Sequence, residues 1–151
     1  MRRSEKEIKD RAEIEAVIRA SKVCRVGLSD GGKPYVVPVF FGYDGKDIFV
    51  HGAGEGRKMD ILRRNPAVCV EFDVLDGIKE GGNACKWGAA YRSVIVAGTA
   101  EELADPAEKR KALSVIMAQY ASGKFDFSDA EVDKVAVLRI RVQEMTGKKA
   151  A

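Results

Sequence analysis

The feature that most restricts the fold is a succession of short β-rich segments that do not alternate regularly with helices. Residues 23–29, 34–43 and 46–51 are rich in valine, phenylalanine and tyrosine. Turn signals separate them, with Asp30-Gly31-Gly32 after the first segment and Asp44-Gly45 after the second. An Asp-Gly dipeptide between two such runs is a strong hairpin signal. This part of the chain therefore predicts a meander of three antiparallel strands.

Three further segments have strand character, at residues 67–73, 91–103 and 135–142, and Gly98 is predicted to form a bulge. Residues 75–90 are rich in glycine and are predicted to form a long loop. Because no βαβ rhythm is present, most neighbouring strands must be antiparallel, and about six such strands tend to close into a small barrel.

Helices are expected in three places. Ser4 and Glu7 form a capping-box pattern at the start of an amphipathic stretch that runs to about residue 20. A second, short helix is expected after the glycine turn that follows His51, and Asp105-Pro106 has the features of an N-cap and a first helical position.

The predicted class is mainly β, a six-stranded antiparallel barrel with peripheral helices, in one domain over residues 1–151. Its parts are an N-terminal helix at 1–20, a barrel with inserted helices at 21–145 and a C-terminal tail at 146–151.

Composition narrows the functional classes. Hydrophobic residues make up 46% and charged residues 32% of the chain, as in soluble globular proteins. A net charge of +3, spread over the sequence, does not indicate nucleic-acid binding.

No apolar run approaches the roughly 20 residues of a membrane span, and the N-terminus lacks the apolar core of a secretory signal. Cys24, Cys69 and Cys85 are too few and too scattered for a zinc site or a disulfide framework, so we expect a cytoplasmic protein without metal. Cys24 and Cys69 are expected to be buried in strands.

The stretch from His51 to Pro66 is the strongest candidate site. A predicted strand delivers the single histidine into a glycine-rich turn, and Arg57 and Lys58 follow at the start of a short helix. Glycines, helix-start amides and cations together can cradle an anion such as a phosphate. Alternatively, the two cations are solvated surface charges. His51 is either a structural hydrogen-bonding residue or a candidate catalytic group, because its pKa suits proton transfer.

Other residues have two interpretations each. Pro38 cannot donate to a strand ladder, so it marks either an edge strand or a place where a ligand lies along the sheet. Trp87 either stacks on a planar ring or closes the loop against the barrel. Arg92 and Ser93 are either ligand contacts or ordinary strand positions. No nucleophile elbow, P-loop or dinucleotide fingerprint with correct spacing is present.

Five motifs occur in a fixed order along the chain: Pro34-Tyr-Val-Val-Pro-Val-x-Phe-Gly-Tyr43, His51-Gly-Ala-x-x-Gly-Arg-Lys58, Asn65-Pro-x-Val-Cys69, Tyr91-Arg-Ser-Val94 and Met145-Thr-Gly-Lys148. Together they resemble the FMN-binding split-barrel family related to pyridoxamine 5′-phosphate oxidase, and most of all its nitroimidazole-resistance-like branch.

The resemblance implies a six-stranded split barrel that forms a homodimer, with FMN in clefts at the subunit interface. It assigns cofactor contacts to three groups of residues. The ring would be lined by Pro38, Val39, Phe40, Phe49, Val50 and His51, the phosphate held by Arg57 and Lys58, and the site closed by Trp87, Tyr91, Arg92 and Ser93. The implied function is an FMN-dependent oxidoreductase acting on a small molecule, either nitroreductase-like or related to pyridoxamine 5′-phosphate oxidase. The alternative is a non-catalytic flavin- or haem-binding or redox-sensing protein.

Overall fold

One antiparallel sheet of eight strands, accompanied by four helices, organises the chain. The structure is a computed structural model that describes all residues from Met1 to Ala151. The strands are β1 Glu7–Ile8, β2 Cys24–Asp30, β3 Lys33–Val39, β4 Gly42–Tyr43, β5 Asp47–Gly52, β6 Ala67–Lys79, β7 Gly88–Glu102 and β8 Ala136–Ala150. The helices are α1 Arg11–Ala20, α2 Arg57–Arg64, α3 Pro106–Tyr120 and α4 Asp129–Lys134.

The order of strands in the sheet is β3-β2-β6-β7-β8-β5-β4, and β1 pairs with the C-terminal end of β8. The two ends of this order, β3 and β4, do not pair with each other, so the barrel is split along that seam. The predicted class, a mainly β split barrel with peripheral helices, is confirmed. The strand count is eight instead of six, because β1 and β4 are strands of two residues each.

The main core lies on the concave face of the sheet and follows the alternation of each strand. Val26 of β2, Val70 of β6 and Val96 of β7 are in register and are at most 2% exposed. A second, smaller core lies on the other face of β5 and β8, under α3 and α4, where Phe49 and Val137 meet Ile116. Because β5 is buried on both faces, its residues 48–50 form an unbroken apolar run.

The N-terminal capping box was a wrong prediction. Ser4–Lys6 forms a 3-10 turn with no side-chain cap, and the chain then extends into β1. Helix α1 begins only at Arg11, where the Asp10 side chain accepts from the Ala12 amide at 3.3 Å. The reason is tertiary: pairing β1 with β8 places Ile8 in the main core with 3% exposure, which local helix signals do not anticipate.

The predicted three-strand meander is half correct. β2 and β3 form the expected hairpin, and Asp44-Gly45 turns the chain between β4 and β5. The run at residues 34–43 is broken at Phe40-Phe41, however, and β5 pairs with β8 instead of β3. Phe41 points into the main core with 0% exposure, and its burial accompanies this break in the strand.

Half of residues 75–90 form strand, which corrects the predicted long loop. β6 extends to Lys79 and β7 starts at Gly88, so only a short connection with a 3-10 turn at Ala84–Lys86 remains. We call the part of this hairpin between residues 77 and 90 the β6–β7 arm, because β8 no longer pairs with it. At the other end of the chain, β8 continues through the predicted tail to Ala150.

The remaining local predictions divide. Asp105 caps α3 with Pro106 in its first turn, and the register shifts between Ala97 and Gly98 as the bulge prediction required. Helix α4, with a capping box of Ser128 and Glu131, was not predicted.

Cys24 is buried, which raises the pKa of its thiol to about 12. Cys69 is exposed, contrary to the prediction, because it lies on the outer face of β6. None of the four helices has both the length and the apolar character that crossing a membrane requires.

Candidate functional site

The turn between β5 and α2 brings together most of the features predicted for an anion cradle. β5 ends at Gly52, and α2 begins at Arg57 after Gly56, whose φ of 117° is accessible mainly to glycine. No side chain caps the helix at Gly56, so the first-turn amides lack a side-chain acceptor. The N-terminus of α2 therefore offers free donors and the positive end of the helix dipole.

The charges on α2 are distributed unequally between its two ends. Arg63 pairs with Glu102 and donates to the Gly54 carbonyl, while Arg64 pairs with Asp30 at 2.9 Å. In contrast, neither Arg57 nor Lys58 forms an ion pair. Two cations without counter-ions at the positive end of a helix are electrostatically unfavourable, and a bound anion would remove that cost.

Each of these two cations is held by a different neighbour. The Arg57 guanidinium lies over the ring of Tyr35 in β3, 4.5 Å from its centroid. Lys58 is half-buried, and this burial lowers the pKa of its ammonium group. Its Nζ atom would be only 3.2 Å from a Cβ atom at Gly52, so the glycine leaves room for the lysine.

His51 is the exposed residue at the end of β5, opposite Val137 of β8. Neighbouring atoms shield part of the imidazole from solvent. This desolvation is the larger cause of the lowered pKa of the imidazole, and the positive charge of Lys58 is the smaller cause. The neutral form is therefore favoured at neutral pH. The two residues before it are different: the side chains of Phe49 and Val50 are buried in the two cores and offer no open surface to a ligand.

We expect His51 to make the protein less stable in acid. Because the unfolded chain binds the imidazole proton more tightly than the folded chain, the penalty begins as the pH falls through the ordinary value of about 6.5 and is complete below the lowered folded pKa. Urea unfolding of the wild type and of His51→Gln between pH 8 and pH 5 checks this. As the pH falls, the unfolding free energy of His51→Gln should increase relative to that of the wild type. A difference that is constant over this range would contradict the assignment.

The opposite wall of the split is the free edge of β3. Pro38 pairs with Arg25 of β2 and has no strand on its other side, so the edge-strand interpretation of this proline is confirmed. Pro38, Val39 and Phe40 line a shallow depression with Val23, and Phe40 is 60% exposed.

The third predicted group lies at the far end of the sheet. Trp87 lies immediately before β7 and is 52% exposed. Tyr91 and Ser93, within β7, line an open depression on the outer face. The Arg92 guanidinium is engaged by Asp76 through two hydrogen bonds of 2.9 and 2.8 Å, which lower the pKa of that carboxyl group.

Within one chain the third group does not meet the α2 cradle. Gly52 pairs with Ala136 at one end of β8, whereas Tyr91 pairs with Ala150 at the other. About 14 residues of strand separate these pairs, or roughly 45 Å along β8 at 3.3 Å per residue. One subunit thus holds the two predicted groups apart. We call them the two half-sites, because they could belong to one site only across two copies of the chain.

Tyr120 is a residue that the sequence did not single out for this region. Its hydroxyl accepts from the Phe41 amide at 3.0 Å and donates to the Lys22 carbonyl at 2.9 Å. Its ring meets that of Phe40 edge to face, with centroids 5.0 Å apart. In the sequence it is only one more residue on the apolar face of α3, so no local signal indicates its neighbours. No group of three or more His, Cys, Asp or Glu side chains is arranged to hold a metal ion.

Comparison with known proteins agrees with this architecture. The family model described as pyridoxamine 5′-phosphate oxidase matches residues 10–149. A candidate 5-nitroimidazole antibiotic resistance protein from Bacteroides thetaiotaomicron VPI-5482 has a similar structure, with a TM-score of 0.85 and 38% identity, covering 94% of this chain and 85% of that one. The flavocytochrome Anf3 of Azotobacter vinelandii has a TM-score of 0.88 and 25% identity, covering 100% of this chain and 72% of that one.

A curated relative is also similar, an uncharacterized protein of Rhizobium meliloti (strain 1021) that is 27% identical over 96 residues. The match covers 64% of this chain and 56% of that protein, so it spans little more than half of the relative's length. The antiparallel split barrel with peripheral helices is the fold class that the structure defines. Within that class, this chain belongs to the pyridoxamine 5′-phosphate oxidase family.

Proposed function

We propose that this protein is an FMN-dependent oxidoreductase that works as a homodimer on a small-molecule substrate. The observation that carries the proposal concerns two cations, Arg57 and Lys58. They form no ion pair and lie at the uncapped start of α2. Membership of the oxidase family and the likeness to a flavocytochrome support a flavin as the ligand.

The residues present fit the phosphate of FMN. A phosphate monoester carries close to two negative charges and three acceptor oxygens, which match two cations and a set of free helix-start amides. Gly52 and Gly56 keep side chains out of the space beside Lys58 and ahead of the helix. FAD and other flavins also carry phosphate, and the choice of FMN rests on the motif resemblance.

The rest of the ligand would extend toward β3, where Pro38, Val39 and Phe40 border the seam. The flavin, once bound, supplies the redox chemistry, and the chain supplies binding, orientation and electrostatics. His51 is the candidate for handling a proton, because its lowered pKa leaves the imidazole neutral and able to accept one.

The homodimer proposal follows from the two half-sites. The outer face and the β6–β7 arm expose large apolar side chains at Leu75, Ile78, Trp87 and Ile95, each at least 50% exposed. Pairing these surfaces would bury them. A shared site would further require that Trp87, Tyr91, Arg92 and Ser93 of one protomer reach the α2 cradle of the other. The three free cysteines fit a cytoplasmic setting.

Two substrate classes follow from the relatives. The 38% identity to a candidate nitroimidazole resistance protein favours reduction of a nitro compound. Oxidation of a pyridoxamine-type phosphate is the second possibility. It would need a second set of phosphate ligands, and the sequence offers no obvious one beyond Arg57 and Lys58.

A non-catalytic binding role is the alternative, and the likeness to a flavocytochrome is the observation that favours it. Haem iron requires an axial ligand, and His51 is the only imidazole in the chain. Haem binding by the wild type that is lost in His51→Ala, without flavin binding, would support this alternative.

The expected result for the leading proposal is two FMN per dimer. Purified protein should be stripped of ligand, titrated with FMN while flavin fluorescence is followed, and sedimented at several concentrations. We expect one FMN per chain, a dimer mass at saturation, and re-oxidation of the NADPH-reduced holoprotein by a nitroimidazole. A monomer that is saturated with FMN would contradict the shared site, and no uptake of FMN would contradict the function.

A further inference from the structure

A separate cavity lies between helix α3 and the sheet, at the end of β5 opposite to His51. Its volume is about 170 Å³, and a cavity of about 150 Å³ is enough for benzene. Asp47 contributes to it from the first position of β5 and Arg139 from β8, while α3 forms one wall. His51 is four residues further along β5, or roughly 13 Å at 3.3 Å per residue. The cavity, which we call the α3 cavity, is therefore distinct from the α2 cradle.

The wall that α3 contributes follows from helical spacing. Positions three and four apart lie on one face of a helix, and four such positions line the α3 cavity: Glu108, Lys111, Ala112 and Val115. The two charged residues are exposed at the rim, whereas Ala112 is 1% exposed and Val115 is half-buried. The α3 cavity thus has a charged rim and an apolar side wall.

Asp47 is the unusual residue of the α3 cavity. It is 8% exposed, and acidic side chains are rarely this buried unless they are paired. Its backbone amide donates to Asp44 Oδ1 at 2.7 Å, but its own carboxylate accepts no hydrogen bond and forms no ion pair within the chain. The residue opposite in β8, Arg141, is held by Glu101 through hydrogen bonds of 2.9 and 3.3 Å. A desolvated carboxylate without a partner is costly, and a donor bound in the cavity would remove that cost.

The charges around the α3 cavity favour a cation over an anion. Three carboxylates line it, against two cations, Lys111 and Arg139. The Arg139 guanidinium already pairs with Glu101 at 3.2 Å, so only Lys111 remains to offset the three carboxylates. One added positive charge is therefore attracted, and an added negative charge is repelled. The carboxylates are not grouped as metal ligands, so the ammonium group of an organic molecule is the fitting cation.

We propose that the α3 cavity binds a small primary amine in its protonated form. The ammonium group donates to the carboxylate of Asp47, and the apolar part of the ligand lies along the wall of Ala112 and Val115. An ammonium group has three donors, and a hydrogen bond between two charged groups is stronger than one between neutral groups. Lys111 at the rim opposes this binding because it carries the same charge as the ligand. The inference does not depend on the proposed function, since no flavin contact is involved.

The test uses benzylamine as the probe, because one ring matches the volume of the cavity and the amino group is protonated at neutral pH. Benzyl alcohol and benzoate provide a neutral and an anionic analogue of similar size. Heteronuclear NMR titrations, with and without FMN, measure each affinity and locate the ligand through the amide signals that move. The variants are Asp47→Asn, Lys111→Gln and the matched control Asp126→Asn, which removes an exposed carboxylate outside the cavity. Circular dichroism melting curves check that each variant is folded.

We expect benzylamine to move the amide signals of Asp47 and Val115 whether or not FMN is present. Asp47→Asn should weaken benzylamine binding by about tenfold or more, because a hydrogen bond between charged groups is lost. Lys111→Gln should strengthen it by about two- to threefold, because a like charge is removed from the rim. Asp126→Asn should bind benzylamine like the wild type. Benzyl alcohol and benzoate should bind the wild type at least about tenfold more weakly than benzylamine.

Several results would overturn the inference. These are equal binding of benzylamine and either analogue, no signal changes at the α3 cavity, or equal losses in Asp47→Asn and Asp126→Asn. Lys111 is exposed, so Lys111→Gln leaves the core intact and decides the matter even if Asp47→Asn does not fold: weaker or unchanged benzylamine binding in Lys111→Gln refutes the site.

Failure of this inference is separable from failure of the proposed function. Displacement of benzylamine by FMN would place the amine in the flavin site, so the inference would fail while the function stood. Binding of benzylamine at the α3 cavity by a protein that takes up no FMN would mean the reverse, that the amine site exists and the proposed function is wrong.

Discussion

Replacing both Arg57 and Lys58 with alanine is expected to weaken FMN binding by roughly 100-fold or more, while riboflavin binding changes little. Hydrogen bonds to charged groups are worth about 1.5–3 kcal/mol each, and two of them correspond to at least two orders of magnitude in Kd. Riboflavin has no phosphate, so it loses none of these contacts. Fluorescence titrations of both ligands with both proteins measure the effect.

The matched control is on the same helix. Arg63→Ala/Arg64→Ala removes the same charge from α2, but these side chains already pair with Glu102 and Asp30. This variant should bind FMN nearly as tightly as the wild type. If the two double variants weaken FMN equally, then general charge attracts the ligand, and a specific phosphate contact at the helix start is refuted.

Gly42→Ala is expected to destabilise the protein by about 3 kcal/mol, at the upper end of the usual cost of overpacking. A Cβ atom at Gly42 would lie 2.5 Å from the Ile116 amide nitrogen and 2.6 Å from the Val115 carbonyl carbon. Both are backbone atoms, so no side-chain rotation relieves the clash and α3 must move away from β4. For a chain of this size we expect a fall of roughly 10 °C in the melting temperature, measured by calorimetry.

Gly54→Ala serves as the control for that experiment. Nothing lies within 4 Å of a Cβ atom at Gly54, and the residue does not have a positive φ. Its melting temperature should stay close to that of the wild type. A Gly42→Ala protein as stable as the wild type would mean that α3 and β4 are not packed as closely as the structure places them.

The sequence predicted the parts of the fold that depend on local signals. The hairpin of β2 and β3, the Asp44-Gly45 turn, the cap of α3 and the Gly98 bulge each follow from residues next to each other in the chain. The errors concern long-range pairing. Neither the pairing of β5 with β8 nor that of β1 with β8 leaves a trace in local periodicity, because the partner strand is far along the sequence.

For the candidate site, the success of the sequence-based prediction depends on whether a residue's role is visible in its local sequence. Arg57, Lys58 and His51 were predicted as a group because glycine spacing and charge are visible in the sequence. The structure places Arg57 and Lys58 in the first turn of α2, with Lys58 near enough to His51 for its charge to act on the imidazole. Phe49 and Val50 were assigned to a ligand through resemblance, and their side chains are buried. Tyr120 was missed because its importance lies in contacts with residues about 80 and 100 positions earlier.

The strand order has a further consequence, for the sequence of folding events. The hairpins β2–β3 and β6–β7 join neighbouring segments and close short loops, whereas Asp47 of β5 meets Arg141 of β8 only after most of the chain has been brought together. Such non-local pairings carry the largest loop-closure cost and slow folding. β5, which contains His51, takes part in this late pairing. Helix α2, which bears Arg57 and Lys58, comes next in the chain. A ligand held there binds only chains in which that closure is complete, so occupancy of the cradle shifts the equilibrium toward the fully closed sheet.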